Sequence, residues 1–433
     1  MGKLVERFAS WAVSFRSEPL SPELLHHARR AVIDWHAALY PGAVTAPATL
    51  LERSRAEELD RGAASLALGR KATVRAAAFI NAAAAHALEL DDIFRDGIYH
   101  PGAPTIAAAH ALAFGRNDFL RALIVGYEIS TRIGAAMGRA HYKYWHNTGT
   151  IGCFGAAAAA AEALGLDARR FAHALATVAT FSAGLQQAFR MDSMSKPLHA
   201  GHAAEAGVTA ALAAREGVTG SLDVMEGEAG YGRAMGENPD WEKALATLGR
   251  DFHITRMTVK NHACCGHTFA AIDGALALKN RMQLHPSEIE KLEVATYRAG
   301  LEVAHYENPA TPAEARFSLK YVVASGLTHG SVRLAAFEPK RLHDPATRSL
   351  MRKIDVRLDP QLDAAFPAQR AARVAILARG RREEHLQPTR IGDPDAPLSD
   401  GELEEKYLEL AVPVLGESRA RSKLRQLWSL EAG

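Results

Sequence analysis

A chain of 433 residues with 48% apolar and 23% charged side chains has the composition of a globular protein with a large core, and its length suits two domains rather than one. With 51 basic against 49 acidic residues, a net charge of +2, it lacks the basic excess of a nucleic-acid or membrane-surface protein. Cys153, Cys264 and Cys265 make no disulfide framework. With neither an apolar leader nor an apolar run near the ~18 residues of a membrane span, the expected location is the cytoplasm.

Residues 1–265 read as helix after helix. Ser21 caps the first clear one and Pro22 takes its first position, where a missing N–H is harmless; it runs through Leu24, Leu25, Ala28, Ala31, Val32 and Trp35. Helices are also predicted over 76–90, from Asp118 through Ile133, over 154–164 with Gly165 as a left-handed stop, from Asp167, and over 202–216 with Gly217 as the stop. Alanine dominates them, so close-packed helical layers are expected. After Cys265 the pattern turns α+β. Ser287 and Glu290 suggest a capping box, strands are predicted over 292–297, 354–358 and 373–377, and a helix runs from Thr311-Pro312 to Thr328. Residues 387–397 read as a linker, and Ser399 with Glu402 opens a last helical stretch. The expected fold is mainly α: a large all-α domain over 1–265 to which 396–433 returns, and a smaller α+β lid domain over 266–395.

Four stretches carry possible chemistry. In NAAAAHALELDDIFRDGIYHPGAP, Glu89, Asp91 and Asp92 crowd a helix end, where the dipole disfavours acids, and His100 follows in a loop. A solvated acidic loop and a functional cluster are both compatible with this segment; a magnesium–diphosphate site would need a second acidic helix, which is absent. In KYWHNTGTIG, His146, Thr148 and the start of a helix offer an anion site or an ordinary cap. In SKPLHAGHAAEAG, Lys196 is placed in a loop before a helix, with His199 and His202 nearby: a surface lysine, or a cation for a carboxylate. In MTVKNHACCGHTF, Lys260, His262 and His267 bracket two adjacent cysteines, a spacing unlike a zinc site. Gly230 to Gly236 misses the dinucleotide-binding spacing, and no GxSxG elbow is present. Together the stretches hold lysines, histidines and acids at helix ends and loops, the set that proton transfer on a multiply charged anion requires.

Taken in order, NAAAAHALELDD…HPGAP, HNTGTIGCFGAAAAAAEALGLD, KPLHAGHAAEAGVTAALAA, KNHACCGHTFAAIDG and ARFSLKYVVASGL resemble the blocks of the MmgE/PrpD family. The resemblance covers most of the chain. It implies an all-α large domain, an α+β lid, a homodimer, and proton-transfer chemistry on a small polycarboxylic acid without a metal or other cofactor, as in 2-methylcitrate dehydratase, cis-aconitate decarboxylase and iminodisuccinate epimerase. It places Asp91, Asp92, His100, His146, Lys196, Lys260 and Tyr321 along the family's pocket. Two departures stand out: Glu89-Leu90-Asp91-Asp92-Ile93 where the decarboxylase and dehydratase branches read Asp-Phe-Asp-Asp-Thr, and Asn147 where proline is frequent. The leading expectation is a hydro-lyase of the 2-methylcitrate dehydratase kind. His146 and His100 would be its acid–base pair, Asp91 or Asp92 would fix a histidine tautomer, and Lys196 and Lys260 would hold carboxylates, with Tyr321, His199 and Thr148 as further contacts. An epimerase or decarboxylase on the same scaffold is the alternative, and a non-catalytic paralogue the third reading.

Overall fold

In the computed structural model, which describes residues 2–189, 193–237 and 239–431, the capping signals act largely as the sequence suggests. Ser21 Oγ accepts from Leu24 N at 3.1 Å and opens the helix Pro22–Ala43. Thr73 opens Val74–His86 and Asp167 opens Ala168–Ala179. Ser399, with Glu402 reaching back to its N–H, opens Asp400–Leu415. The fold is mainly α. Contacts divide it into two compact units, one of Met1–Val259 with Ser399–Gly433 and one of Lys260–Leu398.

In the first unit the helix Gly152–Ala163 is buried along its whole length. It is ringed by Phe119–Tyr142, Gly102–Ala113, Ala168–Ala179 and Ser195–Arg215. A rod of alanine and glycine is thin enough to be enclosed on all sides, and close approach fills the space that larger side chains would take. The limit is reached at Gly207: a Cβ there would lie 2.4 Å from Ala157 N and 2.5 Å from Ala156 Cβ. Pro22–Ala43 packs on Val74–His86 and on Asp400–Leu415 from the far end of the chain. Lys406 secures that return, pairing in the core with Asp34 at 2.5 Å and donating to the Leu90 carbonyl at 2.8 Å.

Several boundaries differ from the sequence reading. A short antiparallel pair, Leu59–Ser65 with Lys71–Ala72, interrupts the helical series. The helix expected over 76–90 ends at His86, so the acidic residues after it lie in a loop. The helix expected from 202 begins at Ser195. Lys196 therefore sits on its first turn, and Pro197 stands where the absent N–H breaks no helical bond.

The second unit holds a four-stranded sheet in the order Ile354–Leu358, Ile289–Thr296, Ala372–Ala378, Arg381–Gln387. The first pair is parallel, with Leu292 opposite Ile354; the others are antiparallel, with Val294 opposite Val374 and Ala375 opposite Glu384. The helix Phe269–Met282 packs on the last two strands and on Leu319–His329. The expected Ser287–Glu290 capping box is instead His285 with Glu288, and the Glu290 carboxylate accepts from Gly380 N at 3.1 Å. The single helix expected over 311–328 is two, Pro312–Arg316 and Leu319–His329, because Ser318 caps anew by accepting from Tyr321 N at 3.2 Å. Among the described residues, no helix is long and apolar enough to cross a membrane.

Candidate active site

The site begins where the helix Val74–His86 stops. Glu89 turns the chain with a positive φ of 58°, a conformation that side-chain-bearing residues seldom adopt, and the neighbouring acids then diverge. Asp91 turns back toward the helix end: its Oδ2 is 2.8 Å from His86 Nδ1 and 3.2 Å from His100 Nδ1. Asp92 faces the other way, accepting from the Tyr127 hydroxyl at 2.7 Å and from Gly102 N at 2.9 Å. Glycine at 102 makes that seat possible, since a Cβ there would lie 2.6 Å from the Tyr127 hydroxyl and 2.7 Å from Asp92 Oδ1. Of the two acids expected to orient a histidine, Asp91 is the one beside imidazoles; Asp92 is enclosed behind it.

Two further segments close on this pair. His146 precedes the turn Asn147–Thr150 and donates its N–H to the Gly184 carbonyl at 2.9 Å. Its ring stacks on His86, with centroids 5.4 Å apart. On the helix Ser195–Arg215, Lys196 and His199 are one turn apart and share a face. His199 Nδ1 is 3.0 Å from His146 Nδ1, so one ring donates and the other accepts. Lys196 forms an ion pair with Glu89. The Glu89 carboxylate also stands 4.0 Å from His86 Nε2 and 3.9 Å from His100 Nε2. Thr148 Oγ1 accepts from His100 N at 3.2 Å, and Asn147 Nδ2 donates to the Gly97 carbonyl at 2.7 Å. That amide, which a proline could not supply, ties the turn to the loop that carries His100.

Burial sets the charges. It would by itself raise the Asp91 carboxyl, but the facing His100 and His86 imidazoles hold it well below the usual carboxylate range. Burial lowers His86 against the opposing pull of Asp91. Burial, then the nearby His86, Lys196, His199 and His100, pushes His146 well below the ordinary imidazole value. Burial first, then His86, His202 and Lys196, brings His199 down to about 4. At neutral pH the cluster thus presents neutral imidazoles at His86, His146 and His199 around an anionic carboxylate, with a lysine at its edge. Exposure rises from 0% at the His86 side chain to 41% at that of Glu89.

Asp91, His100, His146, Lys196, His199 and Thr148 are therefore brought together in the first unit. Lys260 and Tyr321 belong to the second. Lys260 is buried there, and Tyr321 is fully buried, its hydroxyl donating to the Ala336 carbonyl. The residues around the paired cysteines have separate partners: His262 bonds to Asp273 at 2.9 Å, His267 to the Tyr297 hydroxyl at 2.9 Å, and Cys264 to Thr268 at 3.3 Å. Sequence reasoning missed His86 and left Glu89 out of the site. The signal for His86 was its position five residues before Asp91, masked by the alanines around it.

Among the described residues, His86, Asp91 and His100 bring metal-ligand atoms within 4.8 Å of one another. The 2.8 Å between His86 Nδ1 and Asp91 Oδ2 is an ordinary hydrogen-bond distance.

Comparison with known proteins places the chain in a family. Residues 6–244 match the MmgE/PrpD N-terminal domain and residues 262–431 the MmgE/PrpD C-terminal domain. A cis-aconitate decarboxylase-like protein of Aspergillus oryzae is 27% identical over 99% of this chain and 95% of its own length. The cis-aconitate decarboxylases of Homo sapiens and Mus musculus are 26% and 27% identical, each over 82% of this chain and 76% and 75% of their own lengths. The chain belongs to the MmgE/PrpD family.

Proposed function

We propose that this MmgE/PrpD protein is a lyase that acts on a small polycarboxylate by moving a proton at a carbon next to a carboxylate. The observation that carries this reading is the convergence of Lys196, the neutral imidazoles of His86, His146 and His199, and the anionic Asp91 beside His86 and His100. Breaking a C–H or C–C bond next to a carboxylate leaves an electron pair that spreads into it. A fixed cation stabilises that charge in a water-poor site, and this is the part given to Lys196. A neutral imidazole takes a proton and its imidazolium returns one. His100, the more exposed of the two histidines beside Asp91, is assigned to proton transfer with His146 as its counterpart. Asp91 orients the rings and stabilises the imidazolium that forms.

The same groups serve two leaving groups. In decarboxylation, carbon dioxide departs and a histidine protonates the carbon left behind. In dehydration, one group removes the C–H proton and another protonates the departing hydroxyl. Decarboxylation is the first reading, because relatives matched over most of the chain bear that name. Dehydration of a 2-methylcitrate-like hydroxy acid, the leading expectation from the family resemblance, is the second. Incubation with a panel of polycarboxylates in heavy water, followed by NMR, separates them. Loss of carbon dioxide, loss of water, or deuterium exchange at an intact substrate identifies decarboxylase, hydro-lyase or epimerase, and turnover is expected to survive exhaustive chelation. An inert panel would sink the enzymatic reading.

A further inference from the structure

The Glu89 side chain sets a carboxylate in front of the proton-transfer groups. Glu89 is paired with Lys196, and its two oxygens point at His86 Nε2 and His100 Nε2 from 4.0 and 3.9 Å. Those distances are too long for hydrogen bonds, and His86 Nε2 is buried with no hydrogen-bond partner. The Glu89 carboxylate thus reaches the lysine but does not seat against the imidazoles. Its attachment explains why: it hangs from a left-handed backbone position, φ 58°, on a side chain that is 41% exposed, an arm reaching in from the loop. A substrate carboxylate held by Lys196, with its adjacent carbon before the same two nitrogens, would need the volume that the Glu89 carboxylate fills.

We infer that Glu89 is a built-in occupant of the substrate's carboxylate position, held there by Lys196, and that a polycarboxylate binds by displacing it. This rests on the proposed polycarboxylate reading and extends it to a residue that sets affinity. Before substrate binds, the arm is paired with Lys196, and it opposes every ligand that must displace it. Its chain length matters as much as its charge, because an aspartate at the same position falls one methylene short of the lysine.

Calorimetric titration of the full-length protein with tricarballylate, a saturated tricarboxylate, at one fixed pH provides the test. Glu89→Gln removes the competing charge and is expected to bind roughly fivefold tighter than wild type, the size of effect that a partly exposed ion pair has. Glu89→Asp keeps the charge but shortens the reach, and should lie closer to Glu89→Gln than to wild type. Three results would overturn the inference. Wild type binding while Glu89→Gln binds equally or more weakly would make Glu89 a ligand contact or a structural residue, and the polycarboxylate reading would stand. Glu89→Asp behaving as wild type would reduce its effect to local charge. No binding of tricarballylate, citrate or cis-aconitate to wild type or either variant would remove the polycarboxylate reading and this inference with it.

Discussion

Lys196 stands on the first turn of the helix Ser195–Arg215, with Glu89 on one side and His199 a turn away. If it holds a substrate carboxylate, Lys196→Met keeps the bulk and removes the charge. We expect kcat/KM to fall by about a hundredfold or more, since a hydrogen bond to a charged group contributes about 1.5–3 kcal/mol and desolvation adds to it. The folded state should change by no more than about 1 kcal/mol, as for other partly exposed pairs. Lys340→Met, at an exposed position in the second unit, should alter neither. Normal turnover by Lys196→Met with a lowered Tm would make the lysine structural. Asp92 gives a test of different sign. Burial, against the hydrogen bond from Tyr127, pushes its carboxyl from 3.8 up to about 8. The native state then keeps a proton that the unfolded chain has lost, so this residue erodes stability as pH climbs from about 4 to about 8, and no further above that. Asp92→Asn removes the titration. Its Tm relative to wild type should rise across that window and then level off; a difference independent of pH would show that Asp92 is already ionised in the folded protein. These two residues also mark what sequence can and cannot say. Lys196, His100, His146 and Asp91 were legible because unusual residues sit in ordered blocks. The division of labour between Asp91 and Asp92 was not, because it depends on which way one peptide unit turns after Glu89. His86 was hidden for the opposite reason: a histidine within an alanine helix has the look of a core residue until a carboxylate five positions on folds back to it.

At the level of elements, the packing of Gly152–Ala163 against Ser195–Arg215 positions Lys196 and His199, and Gly207 is where it is tightest. A Cβ added there would meet Ala157 N at 2.4 Å and Ala156 Cβ at 2.5 Å, backbone and a short side chain that cannot swing away. Gly207→Ala should therefore destabilise by about 1–3 kcal/mol despite alanine's better helix propensity. Gly401→Ala, with nothing within 4 Å of the new methyl, should be neutral or stabilising by roughly 0.4–1 kcal/mol. Urea unfolding midpoints of the two variants check both signs, and a Gly207→Ala protein as stable as wild type would mean that the two helices are not in this contact. Capped helices were readable because Ser21, Asp167 and Ser399 do in the fold what their positions advertise. Pro197 misled: the residue before proline avoids the helical region in general, but within a first turn the ring is tolerated, and the helix starts seven residues earlier than expected, at Ser195 instead of 202. The strand Arg381–Gln387 escaped notice because its sequence, RREEHLQ, is charged. That is how an edge strand discourages further pairing, and it leaves little apolar alternation to read.

For the molecule as a whole, the N- and C-terminal stretches share one compact unit, a return that the capping box at Ser399 hinted at and the buried Lys406–Asp34 pair fastens. What the chain does with its remaining apolar surface is a matter of assembly. Tyr144, Leu185, Met194 and Phe181 are 62%, 57%, 53% and 40% exposed. Tyr144 and Leu185 lie on two segments joined by a bridge between Trp145 and Leu185 and by Gln186 N donating to the Tyr144 carbonyl at 2.9 Å. Large apolar side chains exposed on adjoining segments of a surface mark an interaction site more often than scattered ones do. This edge adjoins the first turns of the helix that carries Lys196, where His146 meets His199, so a partner there would cover it. We propose that the partner is a second copy, as the family resemblance implies, in a two-fold pairing that would set the same edge against itself. Light scattering at micromolar concentration should then return about twice 46.6 kDa. Leu185→Glu would place a charge in the middle of that contact, where desolvation without a counter-ion is strongly unfavourable, and should shift the mass toward 46.6 kDa while leaving the helical circular dichroism intact. A monomeric wild type would remove the dimer altogether. A variant that stays dimeric would move the interface to another face, and the edge beside Lys196 would then remain open to solvent.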